Sequence, residues 1–148
     1  MQNLEKHHKW PDEQTQSRAV FLNKDPDDIG NPMAYRILKI TSTIYRVWAA
    51  VRMKNLEGWI KTWAEDNMFA GVPGVGAEDA WYLTSLDFEY LRAKGNQITA
   101  GSIDIYKCLD QLVRPLIYKL AEAAGMPMQI LATYRSYLEQ MMAIIPIL

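Results

Sequence analysis

One ten-residue stretch of this sequence combines residue types that could do metal chemistry. Residues 101–110 read Gly-Ser-Ile-Asp-Ile-Tyr-Lys-Cys-Leu-Asp, a pattern that predicts a short buried strand ending near Asp104 and a turn into a helix. A carboxylate fixed at the tip of a strand can bind Mg²⁺ against the phosphates of a nucleotide. The alternative is that Asp104 caps the turn that follows it, because Asp side chains readily accept hydrogen bonds from neighbouring backbone groups.

A two-metal site needs more carboxylates than this stretch supplies. Such sites bring several carboxylates together on ions that lie about 3.5–4 Å apart. After Asp104 the acidic residues are Asp110, Glu122 and Glu139, and the last two fall in predicted helices. The one Asp-Asp pair, residues 27–28, precedes the strand and lies in a polar, turn-rich segment. The sequence therefore indicates one carboxylate of such a site, Asp104, without the further carboxylates that would complete it.

Composition places the chain among ordinary globular proteins. Its 148 residues are 49% hydrophobic and 22% charged, which is typical of one folded domain. The single cysteine, Cys108, excludes a disulfide framework and a zinc site made of cysteines. The polar first ten residues lack the apolar core of a signal peptide, and the longest apolar run, residues 141–148, is too short to cross a bilayer. We therefore expect an intracellular, soluble protein that does not contact membranes.

Charge is distributed unevenly along the chain. Residues 1–63 contain 10 Lys and Arg against 7 Asp and Glu, whereas residues 64–148 contain 6 against 10. The basic first half is the better candidate for contact with a polyanion, although an excess of this size is also common on surfaces that bind nothing.

Two segments near the amino terminus predict a β-hairpin. The run Ala-Val-Phe-Leu at residues 19–22 has the β-branched and aromatic character of a strand, and residues 35–41 alternate as a returning strand would. Residues 23–32 between them are rich in Asn, Asp, Pro and Gly, which form turns. Lys24 and Arg36 belong to this hairpin, either as solvated charges or as ligands of an anion.

A long helix is predicted after the hairpin. Ser42 is a suitable N-cap, and apolar residues then recur at spacings of three and four, as on the core-facing side of a helix. Gly58 weakens the middle of this helix by about 1 kcal/mol relative to Ala, which allows a kink or a break there. The apolar stripe comprises Ile44, Val47, Trp48, Val51, Leu56, Trp59, Ile60 and Trp63.

A loop and further helices follow. Three glycines and a proline in residues 70–76 predict a connecting loop, which lacks the Gly-Lys-Ser/Thr ending of a phosphate-binding loop. Helices are expected over residues 77–93 and 115–124, and from Pro127 onward, because glycine follows each of the first two and proline starts the last two.

In this order, the segments resemble the reverse transcriptase domain of LINE-type, non-LTR retrotransposons. That family has an early hairpin, here residues 20–24 and 34–38, then a long helix and a glycine-bearing loop near an Asp-Ala pair, here residues 79–80. Its first catalytic strand, Asp-x-x-x-x-Phe-Asp, corresponds to residues 104–110. The resemblance covers residues 10–142. It implies an α+β, helix-rich partial fingers and palm with an early β-hairpin and one catalytic-type strand.

The resemblance also implies a domain organisation. Residues 1–18 would be a polar amino-terminal segment, and residues 19–148 a partial reverse-transcriptase domain, with fingers over residues 19–95 and part of the palm over residues 96–148. A partial palm leaves sheet edge and core surface uncovered, so that the Asp104 strand and residues 141–148 are expected to be poorly protected.

Five residues take on roles from the resemblance. Asp104 would bind both catalytic Mg²⁺ ions, and Ile105 would add its backbone carbonyl. Lys24 and Arg36 would contact the triphosphate, because a guanidinium fork suits phosphate oxygens. Leu109 occupies the position of the residue that packs under the sugar and excludes a 2′-hydroxyl. The implied partners are an RNA template, a DNA primer and a deoxynucleoside triphosphate, with Mg²⁺ as cofactor.

The sequence departs from the family at several positions. Ile37 replaces a proline, Leu109 replaces an aromatic residue, and the Gln usual before the glycine loop is not evident. No aromatic-x-Asp-Asp motif follows Asp104, so that Mg²⁺ would be held weakly. The missing carboxyl-terminal part of the polymerase is therefore a further implied partner.

Two functional hypotheses follow. The first is a fragment of a retroelement RNA-directed DNA polymerase, a family that copies RNA into DNA by two-metal nucleotidyl transfer, with the fragment inactive alone. The second is a non-catalytic helical module that binds nucleic acid through its basic half or a protein through its apolar carboxyl-terminal residues. Nucleic-acid binding of the second kind would weaken steeply with salt.

Overall fold

Helices and one small sheet make up the protein, which belongs to the α+β class as predicted. The computed structural model describes residues 2–24, 26–28, 30–106 and 108–145, without the side chains of residues 2, 3, 109 and 110. No helix in these residues is long and apolar enough to cross a membrane. The helices are α1 (Gln2–His7), α2 (Asp12–Thr15), α3 (Thr43–Ile60), α4 (Ala77–Ala93), α5 (Arg114–Ala123) and α6 (Met128–Gln140), with 3-10 turns at Pro32–Ala34 and Cys108–Gln111. The strands are β1 (Gln16–Asn23), β2 (Tyr35–Ile40) and β3 (Met142–Ile144).

The chain divides into two compact units. The first is formed by Met1–Lys54 together with Met126–Leu148, and the second by Asn55–Gly125. Because both ends of the chain contribute to the first unit, its bounds do not coincide with the segments 1–18, 19–95 and 96–148 that the sequence predicted.

The predicted hairpin is confirmed. β1 and β2 pair antiparallel, from Arg18 opposite Ile40 to Asn23 opposite Tyr35. β3 pairs in parallel with the other side of β1, which gives the strand order β2-β1-β3. The expectation that residues 141–148 are uncovered is therefore wrong for the backbone of β3, although the side chains of that strand are exposed. Residues 146–148 lie outside the described part of the chain.

The strand predicted over residues 97–105 is wrong. These residues form no regular structure, and the side chain of Ile103 is 94% exposed. A strand persists only where a neighbour takes up its backbone hydrogen bonds. Among the described residues of the second unit there is no strand that could do so. The β-branched pair Ile98-Thr99 favours an extended backbone but supplies no partner.

An aromatic cluster forms the core of the first unit. Trp10, Trp48 and Tyr137 are all buried. The ring of Trp10 lies 5.4 Å from that of Trp48 and 5.1 Å from that of Tyr137, edge to face in both pairs, which is an arrangement that the charge distribution of aromatic rings favours. The indole N–H of Trp10 donates to the carbonyl of Thr133 at 3.1 Å. The polar segment predicted over residues 1–18 therefore contributes Trp10 to the core.

A buried carboxylate joins α1 to α3. Glu5 accepts hydrogen bonds from Nε and Nη2 of Arg52, one on each carboxylate oxygen, and the Nη2 bond is 2.8 Å long. The indole N–H of Trp48 donates to Oε1 at 2.8 Å. Burial raises the pKa of Glu5, but the hydrogen bonds from Arg52 and Trp48 and the charge of Arg52 outweigh it, so that the pKa lies below its ordinary value.

The long helix α3 begins where the sequence predicted. The hydroxyl of Ser42 accepts the N–H of Tyr45 at 3.2 Å, as an N-cap does. The helix continues through Gly58 to Ile60 without a break. The predicted stripe is only partly right, because the buried face also takes in Tyr45 and Ala49, whose positions the apolar spacing did not include. Of the predicted stripe, Trp48, Leu56 and Ile60 are buried, whereas Ile44, Val47, Val51 and Trp63 are exposed.

Helices α4, α5 and α6 confirm the helices predicted over residues 77–93 and 115–124 and from Pro127 onward. Gly71 and Gly74 in the loop before α4 have positive φ values of 75° and 92°, which glycine adopts without strain. The N–H of Gly76 then donates to a carboxylate oxygen of Asp79 at 2.8 Å and fixes the start of α4. Gly125, with φ 76°, ends α5.

Candidate nucleic-acid interface

The two predicted phosphate ligands lie at one end of the hairpin. Arg36 is opposite Leu22, and the N–H of Lys24 donates to the carbonyl of Ala34 at 2.7 Å, one step further along the ladder. Arg36 lies within β2, whereas Lys24 is the residue after β1, at a bend opposite the 3-10 turn that contains Ala34. Both side chains are exposed at this end of the hairpin.

The loop between the strands is held by Asn31. Its Oδ1 accepts the N–H of Met33 at 2.9 Å, and its Nδ2 donates to a carboxylate oxygen of Asp28 at 2.8 Å. These bonds fix the entry into β2 and hence the register of Arg36. Asp27 and Asp28 place negative charge in the loop, which opposes the attraction of an anion to the hairpin. Asp25 lies outside the described residues.

One face of the sheet is covered at Ser17 and Ala19 but exposed at Phe21 and Ile37, and the other face is exposed over most of its length. Ser17 and Ala19 are buried, whereas the residues between and beyond them in β1 are exposed or half-buried. Because paired residues share a face, the pairing of the three strands defines the exposed side, which we call the open sheet face. It consists of Gln16, Arg18, Val20, Leu22, Arg36, Leu38, Ile40, Met142 and Ile144.

Arg18 is a cation that sequence reasoning missed. It lies on the open sheet face between Ile40 in β2 and Ile144 in β3. The strand was predicted only from Ala19, where the apolar run begins. Extending the alternation back to Gln16 would have placed Arg18 on the same face as Arg36.

Asp104 does not lie at the tip of a strand. Its side chain is exposed in an irregular segment, and the carbonyl of Ile105 accepts the N–H of Cys108 at 3.2 Å. That bond starts the 3-10 turn that contains Leu109, whose side chain lies outside the described residues. Asp104, Ile105 and Leu109 belong to the second unit, whereas the hairpin cations belong to the first.

The described residues do not fit a Mg²⁺ site. Within residues 2–24, 26–28, 30–106 and 108–145, no group of three or more His, Cys, Asp and Glu side chains is placed to hold a metal ion. A single exposed carboxylate such as that of Asp104 leaves Mg²⁺ almost fully hydrated. The metal therefore remains an implication of the resemblance alone.

Comparison with known proteins assigns no family to the chain. No protein-family model, curated protein or solved structure matches it. A functional assignment therefore depends on the order of the sequence motifs and on the geometry of the hairpin.

Proposed function

We propose that this chain is a partial reverse-transcriptase domain of the LINE type, which supplies a phosphate-binding hairpin and does not polymerise alone. The register of the hairpin is the observation that carries this proposal. It brings the exposed residues Lys24 and Arg36 to the same end of the hairpin. The resemblance assigns these same two positions to the triphosphate.

The proposed function is phosphate binding and does not include nucleotidyl transfer. Nucleotidyl transfer by two metal ions needs converging carboxylates, and no such cluster occurs among the described residues. Asp104 is exposed and far along the chain from any Asp-Asp pair. The chemical step would require carboxylates from another polypeptide segment.

A second candidate is a non-catalytic module that binds nucleic acid or protein. It is favoured by a different observation, the exposed apolar side chains of the open sheet face. A phosphate-binding hairpin depends on Lys24 and Arg36, whereas a general docking surface depends on the apolar residues between the strands. Substitutions at the two sets of positions therefore distinguish the candidates.

A binding titration tests the proposal. A labelled RNA–DNA template–primer, and separately a labelled deoxynucleoside triphosphate, is titrated with the wild-type chain and with the double variant Lys24→Ala, Arg36→Ala. The matched control is Lys39→Ala, because Lys39 is exposed on the same hairpin but pairs with Ala19 on the other face. Each removed phosphate contact should lower the slope of log K against log salt by about 1.

We expect the double variant to bind template–primer about tenfold or more weakly, with a salt slope reduced by about 2. The control should bind like the wild-type chain. Undetectable binding of either ligand at low salt, or equal losses in the double variant and the control, would contradict the phosphate-binding hairpin. Loss of template–primer binding on Leu38→Ser alone would favour the second candidate.

A further inference from the structure

The open sheet face is an apolar surface without a cover in its own unit. Met142 and Ile144 are 61% and 53% exposed, and the apolar residues of β1 and β2 beside them are also exposed or half-buried. The charged residues of this face are Arg18 and Arg36, and the described residues of the face include no acid. Contiguous apolar surface of this kind usually marks an interaction site.

Helix α4, in the second unit, has the complementary chemistry. None of its residues is buried, and Tyr82 and Tyr90 are 64% and 62% exposed. With Leu86, these residues recur every four positions and form one stripe on the helix surface, which we call the α4 stripe. Glu78 precedes the stripe at the same spacing of four, and Glu89, eleven residues or about three turns further on, flanks it. At the other end, Nζ of Lys94 lies 5.6 Å from the centroid of the Tyr90 ring.

We propose that the α4 stripe of one copy of this chain docks on the open sheet face of a second copy. The first unit contains 10 Lys and Arg against 7 Asp and Glu, and the second contains 6 against 10. Opposite charge of this kind favours contact between unlike units over contact between like units. The apolar stripe and the apolar face supply the buried area.

The spacing of the charges also matches. Arg36 is opposite Leu22, four residues along β1 from Arg18, so that the two arginines are about 13 Å apart along the strand. Glu78 and Glu89 are about 16 Å apart along the helix axis. Arginine side chains are long enough to take up the difference. Each arginine can therefore reach one glutamate when the helix lies along the strands.

The contact is of the head-to-tail type, because it joins different surfaces on the two copies. Such contacts repeat from copy to copy as chains or closed rings, and two of them made reciprocally close a two-fold dimer. The charged part of the contact lies at the surface and is screened by salt within about 10 Å at 0.1 M ionic strength. Association should therefore increase with protein concentration and decrease with salt.

Sedimentation velocity of charge-swapped full-length chains tests the proposal. The sheet variant carries Arg18→Glu and Arg36→Glu, and the helix variant carries Glu78→Arg and Glu89→Arg. Each variant alone sets like charges against each other and should remain a monomer at low salt. An equimolar mixture restores opposite charges at every contact and should associate as the wild-type chain does.

Two controls change equal charges away from the proposed contact. Lys39→Glu lies on the other face of the hairpin, and Asp87→Arg lies on the side of α4 next to the half-buried Leu91, outside the stripe. Both should associate like the wild-type chain, and far-ultraviolet circular dichroism should show all variants folded. A wild-type chain that stays monomeric at low salt, variants that associate like it, or a mixture that stays monomeric would each overturn the proposal.

Discussion

The indole N–H of Trp48 donates a hydrogen bond of 2.8 Å to Oε1 of Glu5, 43 residues earlier in the chain. The same carboxylate receives both arms of the Arg52 guanidinium. Each polar group in this buried contact therefore has a partner, as buried charges require. The contact fixes α1 on α3, so that Glu5 stabilises the fold.

Replacing Glu5 with Ala should destabilise the protein by about 3 kcal/mol, because it leaves a guanidinium and a buried indole N–H without their acceptor. Chemical denaturation at neutral pH measures this loss. The exposed Glu13, in the neighbouring helix α2, gives a matched control: Glu13→Ala should change the free energy of unfolding by less than about 0.5 kcal/mol. Equal effects of the two substitutions would show that the Glu5 contact does not stabilise the fold.

The lowered pKa of Glu5 also predicts how the stability of the folded protein depends on pH. The pKa of Glu5 is lower in the folded protein than its ordinary value of 4.5, so that the folded state binds this proton less readily than the unfolded state. The contribution of Glu5 to stability is therefore complete above that ordinary value and is lost as the pH falls through the lowered pKa. Glu5→Gln should remove this part of the acid dependence in denaturation curves measured at several pH values. A variant whose acid dependence matches that of the wild-type chain would contradict the assignment.

Two tryptophans give a second matched pair. Trp10 is 1% exposed and Trp81 is 76% exposed. Trp10→Ala should cost about 3–5 kcal/mol, because it removes a large core side chain, together with its hydrogen bond to Thr133. Trp81→Ala should cost less than about 0.5 kcal/mol. Thermal unfolding followed by circular dichroism compares them, and a small effect at Trp10 would argue against the aromatic core.

The purified chain should not extend a primer. In a primer-extension assay with Mg²⁺ and deoxynucleoside triphosphates, we expect no product above background, because the described residues bring no carboxylates together to hold two ions. An active reverse transcriptase in the same buffer controls for the assay. Robust extension by this chain, abolished by Asp104→Ala, would contradict the proposal that it does not polymerise alone.

Local signals in the sequence predicted the local parts of the fold. Each of these signals shapes only the few residues around it. The structure confirms the turn between β1 and β2, the Ser42 N-cap, and the glycines that end α4 and α5. Lys24 and Arg36 were placed on the hairpin for the same reason.

Contacts between distant segments could not be predicted in this way. Trp10 stands alone in a polar stretch, and its burial depends on partners in α3 and α6. Met142–Ile144 forms a strand because β1 offers a free edge 125 residues away. Residues 97–105 have strand-forming residues but, among the described residues of their unit, no strand to pair with. Asp104 therefore does not lie at the end of a strand.

The most direct test of the proposed ancestry is the nucleotide sequence immediately downstream of the codon for Leu148. We expect one of the three forward reading frames to encode an aromatic-x-Asp-Asp run, which would supply further carboxylates beside Asp104. Downstream sequence that encodes no such run in any frame would contradict the proposed LINE-type ancestry.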